Sequence, residues 1–387
     1  MTETSLAIRD VLLGMAAIPF IYCCIVLYSS ARFFADDKRR GQALTGFQPP
    51  ISNLKPVVGL DPEAYENYAS FCRQQYPEYE ILFCITSTDD PAYPVLQKIR
   101  QDFPERKIRI LIGSNTDAVN DKVSKLARLV SEAAYEHLVI SDSDVRVAPD
   151  YLSKVIAPLA DPKVGATTCF YVPTTEGPFV QQLQDTGMLC DFYPGILVAW
   201  QLDGVKFALG PTIATTRARL AGFGGYAAIQ NRPADDLLVG RLIAEQGVEV
   251  RLLTSVIETV PDFQSFGELF FKRLRWMTVM RHMRPWGHMG MIFTLALPWT
   301  LLAIIVSPSW TIAAVYAGLY IFFRGAALFI VGAWGLHQQR VWAKLPLVPV
   351  WDAMATLLWL VSFTRKNIRW RGRNYRIQNG ELVLITK

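Results

Sequence analysis

Residues 137–144 read His137-Leu138-Val139-Ile140-Ser141-Asp142-Ser143-Asp144. A short apolar run bounded by polar residues is the pattern of a buried strand. Two carboxylates follow it, one serine apart. In sheets covered by helices, ligands collect beyond the carboxyl ends of the strands, so this stretch places Asp142 and Asp144 where a ligand would sit. Carboxylates at i and i+2 can both turn toward one cation, and Mg²⁺ or Mn²⁺ takes oxygen ligands from one or two carboxylates plus substrate phosphates. An Asp-x-Asp alone has low specificity, because it also occurs in phosphatases and on solvated loops.

Upstream, the same alternation repeats. Ile51–Val58 is a short extended run, and Asp61-Pro62-Glu63 starts a helix that runs through Cys72, with an acid at the cap and proline at the first helical position. Tyr79–Ile85 reads as a strand, Asp89-Asp90-Pro91 opens a helix to Phe103, Lys107–Ile112 is a strand, and Asn120–Ala134 is a helix leading into His137–Ser141. Strand and helix alternating in this way predict a parallel sheet covered by helices. Asp89-Asp90 is a second acidic pair just past a strand end, a position that also suits a plain helix cap.

Downstream, Asp235-Asp236 precedes the amphipathic stretch LLVGRLIAEQGVEV at 237–250. An acid there can cap the helix or serve as a general base that deprotonates an attacking hydroxyl. Lys272-Arg273-Leu274-Arg275-Trp276 follows, with further cations at Arg281 and Arg284. Next to a membrane such a stretch is an anchor for headgroups. It could also let Arg275 hold a diphosphate and Trp276 wall a sugar or acceptor site.

Composition points to a bilayer. Of 387 residues, 51% are hydrophobic and the net charge is only +5; mean hydropathy is positive, unlike an ordinary soluble domain. Residues 11–29 carry no charge and are long enough to span. Arg32, Lys38, Arg39 and Arg40 follow them, so the positive-inside bias predicts a cytosolic core after an uncleaved anchor. Residues 291–306 and 311–334 are expected to form two more crossings. Residues 345–363, interrupted by Pro346, Pro349 and Asp352, are expected to be interfacial or re-entrant. Arg324 inside 311–334 must face protein or a polar headgroup. The predicted organisation is an anchor with its basic flank over 1–40, a cytosolic catalytic domain over 41–286, a membrane region over 287–364 and a basic cytosolic tail over 365–387. In that tail Asn379-Gly380 marks a small hairpin.

The cations cluster beside apolar runs rather than among mid-chain aromatics, which argues against nucleic-acid binding. The six cysteines form no CxxC pair, and the four histidines lack ligand spacing. Reduced, buried thiols and no structural zinc are expected.

Together these motifs resemble the ceramide glucosyltransferase family and, among its bacterial relatives, the hopanoid-associated glycosyltransferases. Asp90 in DDPA matches the first family aspartate, Asp142 in DSDVRV the second, Asp236 in ADD the third, and Arg275-Trp276 the end of the (Q/R)xxRW box. The similarity extends to Leu54-Lys55-Pro56 with Gly59 and Asp61, to Lys122 in NDKVSKL, to Gly210 in FALG and to GFGGY at 222–226, and covers roughly 50–290. Lys272 departs from the pattern at the box's first position, which loses the bidentate or amide geometry of Arg or Gln.

The resemblance implies an α/β fold of GT-A type, a Rossmann-like mixed sheet with flanking helices, plus N-terminal and C-terminal transmembrane helices. It implies an inverting transfer of a hexose or N-acetylhexosamine from a UDP-sugar to a ceramide or hopanoid hydroxyl, at the cytosolic face of a membrane (the inner membrane in a bacterium). Asp90, Lys122, Asp142 and Arg275 would bind the donor, Asp142 and Asp144 would hold Mg²⁺ or Mn²⁺, Asp236 would be the base, and Trp276 would wall the sugar or acceptor.

A haloacid-dehalogenase-like phosphatase would explain the Asp-x-Asp. It wants Thr or Val where Arg146 stands, however, and leaves the Lys272–Trp276 box without a role. A processive polysaccharide synthase would need more spans. A catalytically inactive membrane scaffold on the same fold is the remaining alternative.

Overall fold

The computed structural model describes residues 3–40, 46–114, 119–174, 177–370 and 373–385. The chain forms two compact units. One gathers Gly41–Thr175, Asp203–Asp262 and Tyr375–Lys387; the other gathers Met1–Arg40, Glu176–Leu202 and Phe263–Asn374. Packing thus groups segments that are discontinuous in the sequence.

The first unit is built on an eight-stranded sheet. Its strands are β1 (Ile51–Pro56), β2 (Tyr79–Ile85), β3 (Lys107–Ile112), β4 (His137–Ile140), β5 (Val145–Arg146), β6 (Val164–Pro173), β7 (Ile213–Thr216) and β8 (Glu249–Thr259). They lie in the order β3-β2-β1-β4-β7-β6-β8-β5. The first four strands are parallel, as their spacing predicts: β1 pairs with β2 and β4, and β2 with β3. Helices Ala64–Cys72, Tyr93–Asp102 and Asp121–Glu132 carry the chain back between them, which parallel pairing requires. Every residue of β2 is buried, the mark of a strand covered on both faces. Ile51, Phe71, Phe83, Leu96 and Val139 are among the core residues. The sheet becomes mixed at β7, which runs antiparallel to β4 with Ile140 opposite Ile213. That pairing sets the start of β7 beside the end of β4.

Residues 375–384 add a hairpin, with Ile377 opposite Leu382 and Gln378 opposite Glu381. Asn379 and Gly380 take φ of 50° and 78°, the two positive values that a two-residue type I′ turn demands.

The second unit is helical and apolar. Three of its helices are long and apolar enough to cross a membrane: Thr4–Lys38, Trp310–Gly335 and Val341–Ser362. A further pair, Pro285–Thr294 and Ala296–Val306, is bent by 48°. The broken element is thus 285–306, and the segment expected to be interfacial or re-entrant is instead as long and apolar as a span. Two details account for this. Pro349 falls in the first turn of helix Val348–Ser362, where no backbone donor is lost. The Asp352 carboxylate is not left exposed to lipid, because both its oxygens accept from Arg324 Nε and Nη2 at 2.9 and 2.8 Å, and Tyr320 Oη donates to it at 2.8 Å. Arg324 therefore faces protein. Its Nη1 also donates to the Cys190 carbonyl at 2.7 Å, which lies in the π-helical turn Met188–Phe192. Five of the six cysteines are buried and all are unpaired; Cys24 is exposed, against expectation.

Candidate active site

The site in the sheet unit starts below its surface. Lys55, near the end of β1, is fully buried. Its Nζ donates to Ser141 Oγ at 3.0 Å and to the Asp142 carbonyl at 2.9 Å, and lies 3.5 Å from the Phe71 ring centroid. Burial pushes its pKa down to about 7, against the opposing pull of Asp142, Asp144 and Asp61. This ammonium props the turn that carries Asp142 and Asp144. The sequence signal for it, a lysine inside an otherwise buried strand, was visible only as part of Leu54-Lys55-Pro56.

Above that turn stands Lys122. Helix Asp121–Glu132 is capped by Asn120, whose side chain accepts from Val123 N, and its first turn delivers Lys122 Nζ to 2.7 Å from Asp142 Oδ1 and 3.4 Å from Asp235 Oδ2. Burial alone would lower the pKa of Lys122, but Asp142 and Asp235 outweigh it and the net shift is upward. The ammonium stays charged.

Asp235 and Asp236 open helix Asp235–Ala244, preceded by Ala234 at φ 55°. Asp236 is not the N-cap, which is Ala234; its Oδ1 accepts the adjacent Leu237 N–H at 2.8 Å. Burial, then the neighbouring Asp235 charge, pushes its pKa up to about 6. Gly210 lies between this acid and the strand-end pair. A Cβ built there would meet Asp236 Oδ2 at 2.9 Å and Asp142 Oδ2 at 3.4 Å, so the glycine is needed for room rather than for backbone freedom. The structure thus brings Asp142, Asp236 and Lys122 together, with Asp235 as an additional member. The buried Tyr226 hydroxyl lies in the field of the same four groups and has no hydrogen-bond partner among the described residues.

Asp90 does local structural work. Its carboxylate accepts from Gly59 N at 3.2 and 3.1 Å and from Ala92 N at 2.9 Å, tying the loop after β1 to the helix after β2. Asp61, Asp90 and Asp144 all act on the buried Tyr68 phenol and, after desolvation, raise its pKa. Arg146, which told against the phosphatase, donates to Glu63 Oε2 at 2.6 Å and Asn67 Oδ1 at 3.1 Å.

Among the described residues no group of three or more His, Cys, Asp or Glu is placed to hold a metal ion. Asp142 and Asp144, both only partly buried, still match the donor set of a cation that draws its other ligands from phosphates and water.

Arg275 and Trp276 belong to the helical unit, on helix Phe266–Met283, whose start is fixed by a Ser265–Glu268 capping box. Arg275 Cζ lies 5.4 Å from the Trp370 ring centroid. The buried Arg273 sits 4.7 Å from the Trp276 centroid and 5.1 Å from that of Trp351. This ring-stacked arginine was missed in the sequence, where nothing separates it from its basic neighbours.

Comparison with known proteins places the chain in a family. The chain is 24% identical over 286 residues to ceramide glucosyltransferase 3 of Caenorhabditis elegans, covering 71% of this chain and 60% of that protein. It is 29% identical over 191 residues to the ceramide glucosyltransferase of Komagataella phaffii, covering 47% and 37%. The matches therefore span less than two thirds of these relatives. Among solved structures, a mannosyltransferase from Pyrobaculum calidifontis in complex with GDP-Man and Mn²⁺ superposes with a TM-score of 0.54 at 19% identity, over 87% of this chain and 99% of that one. The fold is GT-A-like, with a mixed sheet, flanking helices and apolar helices outside it. The model described as glycosyl transferase family 21 matches residues 11–383, and the chain belongs to that family.

Proposed function

We propose that the protein transfers a hexose or N-acetylhexosamine, with inversion, from a UDP-sugar to a hydroxyl of a membrane lipid, a ceramide or a hopanoid polyol, at the cytosolic face. The observation that carries this reading is the grouping of Asp142, Lys122 and Asp236 around Gly210, beyond the end of β4. Asp236, with a pKa near 6, is ionised at neutral pH yet basic enough to accept a proton. The lipid hydroxyl oxygen attacks the anomeric carbon, its proton passes to Asp236, and the bond to the diphosphate breaks with its electron pair leaving on the UDP oxygen. Lys122 offers a charged donor to that leaving group. Asp142 and Asp144 would hold Mg²⁺ or Mn²⁺, which when bound supplies further charge stabilisation to the diphosphate. Asp90 would contact the nucleoside, and on the family pattern Arg275 serves the diphosphate while Trp276 walls the sugar or acceptor.

The test is transfer from UDP-glucose and UDP-N-acetylglucosamine to ceramide or a hopanoid polyol by detergent-solubilised protein, with and without Mg²⁺ or Mn²⁺. Mass spectrometry of lipids from cells with and without the gene identifies the product. Absence of both hydrolysis and transfer with every donor would favour the inactive scaffold. Products of increasing length would favour the processive synthase.

A further inference from the structure

The hairpin at 375–384 has no part in the chemistry above, yet its hydrogen bonds lead to the acids. Tyr375, Ile377 and Leu382 are buried, so the hairpin is seated in the sheet unit rather than waving from it. Two bonds fasten it to the loop ahead of Asp235: Leu382 N donates to the Asn231 carbonyl at 2.7 Å, and Arg232 Nη1 donates to the Gly380 carbonyl at 3.3 Å. The same loop is bound on its other side to the start of the Lys122 helix. Val119 N donates to Asn231 Oδ1 at 3.2 Å, Asn120 Nδ2 to the Arg232 carbonyl at 3.0 Å, and Asn120 N to the Gln230 carbonyl at 3.3 Å. Three residues on, Ala234 is held at a positive φ that a residue with a Cβ occupies only when its surroundings enforce it.

From this chain of contacts we infer that the hairpin is a positioning element for the acid cluster: it clamps Asn231–Arg232 and thereby sets Lys122 on one side and Asp235-Asp236 on the other. The role in catalysis rests on the transferase reading given above; the mechanical link does not. A loop held only by its own residues would have less to oppose relaxation of Ala234 toward an ordinary backbone conformation. Such a shift would move the following helix start, and with it the carboxylate beside Gly210.

The test uses the full-length protein in detergent with two substitutions outside the cluster. Leu382→Pro deletes the N–H that reaches Asn231, and Arg232→Ala deletes the guanidinium that reaches Gly380. Hydrogen exchange at amides 119–123 and 229–237 should quicken about tenfold in each. The kcat of transfer should fall about tenfold, with KM for the lipid unchanged. Unchanged exchange in those segments overturns the inference, as does faster exchange with kcat intact. Should Leu382→Pro fail to fold, Arg232→Ala decides alone. Should the unmodified protein show no transfer at all, the functional reading fails, and exchange by itself still decides whether the hairpin holds the loop.

Discussion

Lys122 Nζ and Asp142 Oδ1 stand 2.7 Å apart, with Asp235 Oδ2 3.4 Å from the same ammonium. One cation bridges acids from two distant parts of the chain. Lys122→Met should therefore leave both carboxylates without their shared cation. UDP affinity, measured by calorimetry in the presence of Mn²⁺, is expected to weaken at least tenfold. An unchanged dissociation constant in folded protein would remove Lys122 from the donor site.

Asp236→Asn separates chemistry from stability. The folded pKa, about 6, lies above the ordinary 3.8, so the folded state binds this proton more tightly than the unfolded chain. The associated stability is present at low pH and is lost as pH rises through about 6. At pH 8, without donor or divalent cation, the Asn variant should be about 1–3 kcal/mol more stable while transfer is abolished and UDP still binds. Equal loss of UDP binding would make Asp236 donor-facing, and a lower melting temperature would contradict the buried charge.

Gly210→Ala places a methyl 2.9 Å from Asp236 Oδ2. The obstacle is the end of a side chain, so the fold should survive with a loss of about 1–3 kcal/mol. Displacing the base by even a fraction of an ångström should cut kcat at least tenfold. A variant with normal kcat would show that Asp236 need not stay where it is.

In the helical unit, Asp352→Ala strands the Arg324 guanidinium among apolar helices. A cost of about 3–5 kcal/mol is expected, read as a fall in melting temperature in detergent. Changing both residues, Arg324→Met with Asp352→Leu, should recover much of it. If the double variant is no better than the single, the pair is not the reason for the loss.

Trp276→Ala should impair transfer to lipid more than hydrolysis of the donor, if the ring walls the acceptor as proposed. Parallel kinetics with lipid and with water as acceptor check this, and equal loss in both would assign the ring to the donor instead.

The parallel half of the sheet was legible because β1, β2 and β3 are short extended runs, each followed by a helix that leads to the next strand. The turn to antiparallel pairing at β7 was not, because 213–216 is a short, uncharged run with no periodicity to orient it. Asp142 and Asp236 were legible as acids at element ends. Lys122 was picked out only through the family resemblance; what could not be read is its pairing with Asp142 and Asp235, which only the fold supplies. Asp352 misled outright, since a lone acid in an apolar stretch reads as an interruption until its partner, 28 residues earlier, is known.

The discontinuous make-up of the sheet unit bears on how the protein is made. Residues 375–385 leave the ribosome only after the long apolar stretch 263–374 has been synthesised, yet they belong to the unit that carries the carboxylates. A nascent chain stalled within that stretch already displays Asp90, Asp142 and Asp236 but lacks the strap over Asn231–Arg232. On the positioning role inferred for the hairpin, the acid cluster takes its final arrangement only after residues 263–374 have been made.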